Sequence, residues 1–475
     1  LEGLTHTRDS LPLYRALSDL YIQTGRPDKG VAMLKEYLGL EKDQANPRII
    51  DVKNALARIY MGRGELTEAT RFLEEIFKVT PRNLDANLTR GRLAMLKGEG
   101  DKAVAAFQII VNEKPKEVPG YLLLAEAQLL NRKPNMALET LQQARKLEPD
   151  SREVIRAFAR YYVQQRDFRS AEGYLRKVLA KNPNDPELQI DLGDLFRMAR
   201  AMKQAESAYT EVKRSSRGAI IGRVKLSELY QETGRLDRAT AELSQAVDMA
   251  PQSEDLFARL IRIHVKQQKY AEATAKCRER INKRPREAMT YYLLGGILEL
   301  QGDYRKAEES LLQAQKLAGN STQIGLALAQ LLVKEGKLAD ARKVYEDILA
   351  KKPYSLAVVN DFACMLTDHG NSGSDLQRAM TLAQQANSRF PDNPLFMDTL
   401  GWVCYRKGDY QRAAQLLEKS AEKLGDKPLI RYHAGMALYH AGKVDQAKEH
   451  LRFAAESREN FNGKEEAVKM AGAGR

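Results

Sequence analysis

The chain has 475 residues, 43% of them hydrophobic and 29% charged, which excludes a disordered tail and indicates a folded protein. Its 76 basic and 63 acidic residues leave a formal charge of +13, but the two signs are interleaved and no Lys/Arg block exceeds a few residues. The concentrated basic stripe of a nucleic-acid binder is missing, and no apolar run approaches the roughly 18 residues that a membrane-spanning helix needs.

Residues 1–10 read as an N-terminal extension. The chain starts at Leu1, without Met and without a basic segment followed by an apolar stretch, so a processed or truncated piece with its targeting region absent is expected. Beyond it, Ala, Leu, Glu, Lys, Arg and Gln dominate, and these are strong helix formers.

From residue 11 a period takes over. Gly30 is followed after 39 residues by Ala69, then at 34-residue steps by Ala103, Ala137, Ala171, Ala205, Ala239, Ala273, Ala307 and Ala341. A 38-residue step leads to Ala379, and two more of 34 to Ala413 and Ala447. Other landmarks keep phase. A turn glycine sits five residues before the Ala (Gly25, Gly64, Gly98, Gly234, Gly302, Gly336, Gly408, Gly442). A small residue sits twelve before it (Ala57, Gly91, Gly193, Gly295, Gly401, Gly435) and a large one four after (Leu73, Phe107, Tyr209, Leu311, Tyr345, Leu417). Pro closes most units, as at Pro81, Pro115, Pro251 and Pro391.

Each unit therefore reads as two amphipathic helices joined by a Gly turn. Small residues let the paired helices approach closely, the bulky residue fills the space beside them, and Pro interrupts the backbone ladder between units. One such hairpin cannot bury both faces and must stack on a neighbour.

This pattern resembles the tetratricopeptide repeat, with its 34-residue period. In DTLGWVCYRKGDYQRAAQLLEKS the carriers are Leu400, Gly401, Tyr405, Ala413 and Leu417, while Trp402 lies off the usual Trp position. The resemblance implies an all-α, right-handed superhelical αα solenoid of about 13 hairpins, continuous over 11–456. Longer loops are expected near 40–47 and 368–377, the second as an enlarged hairpin turn. KLGDKP pushes the closing Pro late, to Pro428. Residues 457–475 are expected to form a polar capping helix that frays at MAGAGR.

In the family, fixed positions of each first helix face the groove. Projected here, they give Asn54, Arg58, Arg92, Arg156 and Arg160 with Leu88, Met95, Leu122 and Leu129 between them, and Glu126, Glu153 and Asp194 as partial counter-charge. Arginines at stacked positions suit carboxylate or phosphate; pairing with the neighbouring acids is the alternative. At the other end the projection gives Trp402, Tyr405, Tyr432 and Tyr439, a composition that fits a peptide or sugar platform, or else an apolar end covered by the tail after residue 456.

Catalytic, cofactor and metal motifs are missing. His6, His264, His369, His433, His440 and His450 complete no ligand set with Cys or carboxylates, and Cys364 projects to the groove with no matching His. Cys277, Cys364 and Cys404 have no CxxC spacing, and Cys404 is expected to face the core. No GxxxxGK[ST], GxSxG or HExxH occurs. The expected function is a non-catalytic scaffold that holds a protein segment or folded subunit in its groove. Phrasing such as AGMALYHAGKVDQAKEHL looks like large bacterial repeat proteins of cell-envelope and exopolysaccharide export assemblies. That favours the bacterial periplasm or envelope, with the cytoplasm as the alternative. Polysaccharide, or less favourably nucleic acid, bound directly along the groove is a second reading, and the repeat region of a larger enzyme a third. Pairing of end helices into a homo-oligomer is left open.

Overall fold

The computed structural model describes residues 10–472 except 25, 42, 320, 354 and 371. The extension before Ser10, the turn glycine Gly25 and the last three residues of the tail lie outside the described residues. Among the described residues the secondary structure consists of 27 helices, with no strand. Thirteen pairs run from Leu11–Gln23 with Pro27–Leu40 to Pro428–His440 with Val444–Glu456, and one further helix, Lys464–Gly472, follows. The chain divides into two compact units, Leu1–Glu242 and Leu243–Arg475.

Turn chemistry sets the hairpins. A three-residue turn typically separates the two helices, and its middle residue is left-handed: φ is +75° at Gly64, +71° at Gly98, +78° at Gly302 and +84° at Gly408. The Gly64 N–H donates to the Met61 carbonyl and the Glu65 N–H to that of Tyr60, so the last carbonyls of the helix are satisfied. Four turns hold the same conformation without glycine, at Arg132, Arg166, Arg200 and Gln268, with φ between 55° and 59°. Carboxylate, amide and hydroxyl caps start many helices; Asp185, for example, accepts from the Glu187 and Leu188 N–H groups.

Packing follows the small–large grammar. A Cβ on Gly91 would collide with the Phe107 ring, and one on Gly193 with the Tyr209 ring; at Gly401 it would stand 2.6 Å from Leu417 Cγ. The repeat alanines Ala69, Ala103, Ala273, Ala307 and Ala413 are fully buried. Within the second unit one apolar cluster extends from Phe257 to Ala467. In the first, separate clusters follow one another along the chain, one around Tyr14, Leu56 and Phe72 and another around Leu141 and Phe158.

The two period changes are absorbed in different ways. The extra residues near 40–47 go partly into the loop between Leu40 and Pro47 and partly into a longer helix, Pro47–Gly62 with 16 residues. The enlarged turn expected at 368–377 is not formed. Leu356–His369 and Gly373–Arg389 leave three residues between them, and the second helix reaches 17 residues. Ser372 caps that helix by accepting from the Asp375 N–H, so GSDL is drawn into a first turn instead of a loop. Pro428 starts a helix instead of closing one, a position at which a missing N–H costs nothing.

The tail does form a helix, Lys464–Gly472, and it includes the first part of MAGAGR. Glu466 lies 34 residues after Tyr432 and accepts a 2.5 Å hydrogen bond from its hydroxyl, while Ala467 is fully buried. The tail helix thus occupies the place of a fourteenth first helix.

Candidate functional site

Because the period is 34, one position of each first helix generates a column. Eleven residues before the buried Ala, the first unit presents Arg58, Arg92, Glu126, Arg160, Asp194 and Glu228. At the same position the second presents Arg262, Gly296, Gln330, Trp402 and Met436, with Cys364 taking the place 34 residues after Gln330 because the four extra residues of that repeat fall between it and Ala379.

In the first unit a cavity of about 650 Å³ opens among Leu122, Arg156, Arg160, Val163, Asp191, Asp194 and Met198. A second, of about 270 Å³, adjoins it, shares Leu122, Arg160 and Gln164, and adds Met95, Glu126 and Leu129. Arg160 stands between the two. Arg58, Arg92 and Arg160 are exposed and make no hydrogen bond or ion pair among the described residues. Arg156 differs: its Nη2 donates to Asp191 Oδ1 at 2.9 Å and its Nη1 lies 3.3 Å from Glu187. Burial raises the Asp191 carboxyl above the ordinary range, against the opposing hydrogen bond from Arg156. Asp194 is held by Lys225 Nζ at 2.9 Å and by the Tyr209 hydroxyl at 2.5 Å.

Two projected residues are not on the open face. Asn54 is 4% exposed, and its position faces into the stack of helices. Tyr432 is also 4% exposed, because Phe461, Gly463 and Glu466 of the tail close over it.

The rest of the aromatic group forms one ordered assembly. The Trp402 ring is stacked 4.6 Å from Tyr405 and 4.0 Å from His433, and its Nε1–H donates to Asp368 Oδ1 at 2.9 Å. His433 Nδ1 lies 3.1 Å from both Asp398 oxygens. Burial pushes the Tyr405 hydroxyl up to about 12. Tyr439 is 43% exposed and offers the most open ring. Asp368, Asp398 and Glu466 thus hold the polar atoms of Trp402, His433 and Tyr432.

Cys404 and Cys277 are buried. The Cys364 thiol lies 3.3 Å from Thr399 Oγ1, and burial pushes it up to about 12, which keeps it protonated at neutral pH. Among the described residues no group of His, Cys, Asp and Glu could hold a metal ion, and no helix is long and apolar enough to cross a membrane.

A third cavity, of about 510 Å³, lies in the second unit among Arg262, Tyr292, Leu293, Gly296, Ala327 and Gln330. The sequence reading missed it, having treated the Gly295 region as repeat grammar alone. The available signal was Gly296 itself, a glycine one place off the small-residue position and on the groove column.

Stacked two-helix hairpins that present a column of variable side chains along one open face define a helical-repeat protein-interaction scaffold. Segments 54–118, 156–220, 372–428 and 400–460 match one family model described as Tetratricopeptide repeat, and 223–253 and 289–321 match another of the same description. The chain belongs to the tetratricopeptide repeat family.

Among curated proteins it is similar to the general transcriptional corepressor ssn6 of Schizosaccharomyces pombe, 31% identical over 127 residues, or 26% of this chain and 11% of that protein. It is also similar to the BBSome complex member BBS4 homolog of Drosophila melanogaster, 20% identical over 334 residues (65% and 67%). Cellulose synthase operon protein C of Pseudomonas fluorescens is 24% identical over 183 residues (37% and 14%). The chain thus spans between about a tenth and about two thirds of the length of these relatives. Of solved structures, yeast Tom70 superposes with a TM-score of 0.44 at 15% identity, covering 89% of this chain and 95% of that one.

Proposed function

We propose that the first-helix face of the first unit holds an extended segment of a protein partner. Acidic groups of the segment would lie on Arg58, Arg92 and Arg160, and its apolar side chains would enter the two cavities beside Arg160. The observation that carries this reading is the unpaired Arg160 between two adjoining, largely apolar cavities. A free guanidinium offers bidentate recognition to a carboxylate, and concave apolar walls bury a side chain. Arg156, already committed to Asp191, acts as the wall that positions this site. In the second unit, Trp402, Tyr405 and Tyr439 would offer an aromatic contact of their own. The proposed role is that of a scaffold without chemistry of its own, acting in a bacterial envelope or exopolysaccharide-export assembly. The similarity to cellulose synthase operon protein C supports this setting.

A photo-crosslinking residue at Val163, in cells of the source organism, tests the reading. One discrete protein crosslinked at this position, and lost with Arg92→Ala/Arg160→Ala, is expected. Crosslinks only to polysaccharide or nucleic acid would favour the second reading, in which the same arginines bind an anionic polymer with strong salt dependence.

A further inference from the structure

We infer that the second unit carries a separate anchor pocket, built over Gly296, for one aromatic side chain of an acidic protein segment. The starting point is a glycine that the fold does not explain. Gly296 lies inside the helix Ala288–Leu300. Its neighbour Gly295 has a packing reason, since a Cβ there would stand 2.8 Å from Leu311 Cγ. A Cβ on Gly296 would meet nothing within 4 Å, and its φ is not in the left-handed range. Glycine is the poorest helix former after proline, so it weakens this helix without relieving any clash. Every other member of the same column carries a side chain.

What the missing side chain leaves is room. The cavity of about 510 Å³ has Gly296 in its floor and Ile261, Val265, Tyr292, Leu293 and Ala327 in its walls. That volume falls within the roughly 300–1,000 Å³ of ordinary ligand sites. The rim supplies the charge preference. Glu299 is neutralised by its ion pair with Lys334, whereas Arg262 makes no hydrogen bond or ion pair among the described residues. An apolar hollow beside an exposed guanidinium with no protein partner among the described residues complements a flat apolar body with a carboxylate close to it. Tyr292 and the Met289 thioether favour an aromatic body, and a guanidinium stacks on such a ring. This pocket shares no residue with the cavities around Arg160, so it stands or falls independently of the function proposed above.

The test is selection of a random dodecamer phage library on the full-length chain, followed by anisotropy measurements with the enriched peptide. Expected is a consensus with one Trp, Tyr or Phe and an Asp or Glu within a few positions. Its affinity should fall at least tenfold with Gly296→Leu and with Arg262→Glu, and stay within twofold with Arg160→Ala. Gly296→Leu should melt no lower than the wild type, which separates a filled pocket from a damaged fold. Equal binding to Gly296→Leu, a consensus without an aromatic residue, or no enrichment would overturn the proposal. Dodecanoate binding that depends on Gly296, without any peptide binding, would overturn it in favour of an acyl chain.

Discussion

The Phe107 ring stands where a Cβ on Gly91 would be, and this contact recurs between Gly193 and Tyr209. Gly91→Ala and Gly193→Ala are therefore expected to destabilise the protein by about 1–3 kcal/mol each through overpacking. Gly296→Ala, with open space around it, is expected to raise stability by up to ~1 kcal/mol, the ordinary helix preference of Ala over Gly. Urea midpoints for the three variants check the opposite signs.

Arg132, Arg166, Arg200 and Gln268 hold the left-handed turn that glycine holds in the other units. A side chain in that conformation costs about 1–2 kcal/mol. Part of this is offset by the greater freedom of glycine in the unfolded chain. Each change to Gly is expected to stabilise by ~0.5–1 kcal/mol, and the reverse change Gly302→Arg to destabilise by a similar amount. Thermal unfolding of the single variants measures both.

Arg280 and Glu287 form a buried ion pair, with Nη2 donating to Oε1 at 2.7 Å, and the Arg280 guanidinium also lies over the Phe257 ring at 4.4 Å. Burial opposes the charge on Glu287, but hydrogen bonds from Arg280 and Thr290 outweigh it and hold the carboxyl below its ordinary value. The stability this contributes is present above the ordinary carboxylate range and is lost as pH falls through the lowered value. Glu287→Gln is expected to cost about 3–5 kcal/mol at pH 7 and to flatten the acid limb of the stability curve. Unfolding followed from pH 7 down to pH 3 would show whether that limb changes.

The Tyr432 hydroxyl donates to Glu466, and burial together with that bond raises it above its ordinary value of 10.0. A group raised in this way contributes stability below its ordinary value, and the contribution is lost at higher pH. Tyr432→Phe, or alkaline pH above about 10 in the wild type, is expected to loosen the helix Lys464–Gly472 while the preceding hairpins stay folded. Limited proteolysis of the variant at pH 7.5 tests the first condition, and tryptophan fluorescence of the wild type across the alkaline range tests the second.

Most of the fold was legible because packing residues recur. Ala413, Gly401 and Leu417 announce one hairpin, and the same three places announce the others. The period shifts were harder to read. Gly, Ser and Asp in GNSGSDL are turn formers in isolation, yet here Ser372 caps a helix that runs through the rest. Groove projection located Arg58, Arg92 and Arg160 on the exposed face because exposure follows helical phase. It failed for Asn54, which is turned into the stack, and for Tyr432, which is covered by a tail whose docking no local pattern encodes. Which arginines are already paired is also invisible in one dimension. Arg156 and Arg160 are four residues apart, yet only the first meets Asp191 directly.

The 34-residue column has an evolutionary consequence. Arg58, Arg92, Glu126 and Arg160 are remote along the chain, and none is a packing landmark of its repeat. Codons for these column positions can thus drift singly while the alanine and glycine skeleton preserves architecture.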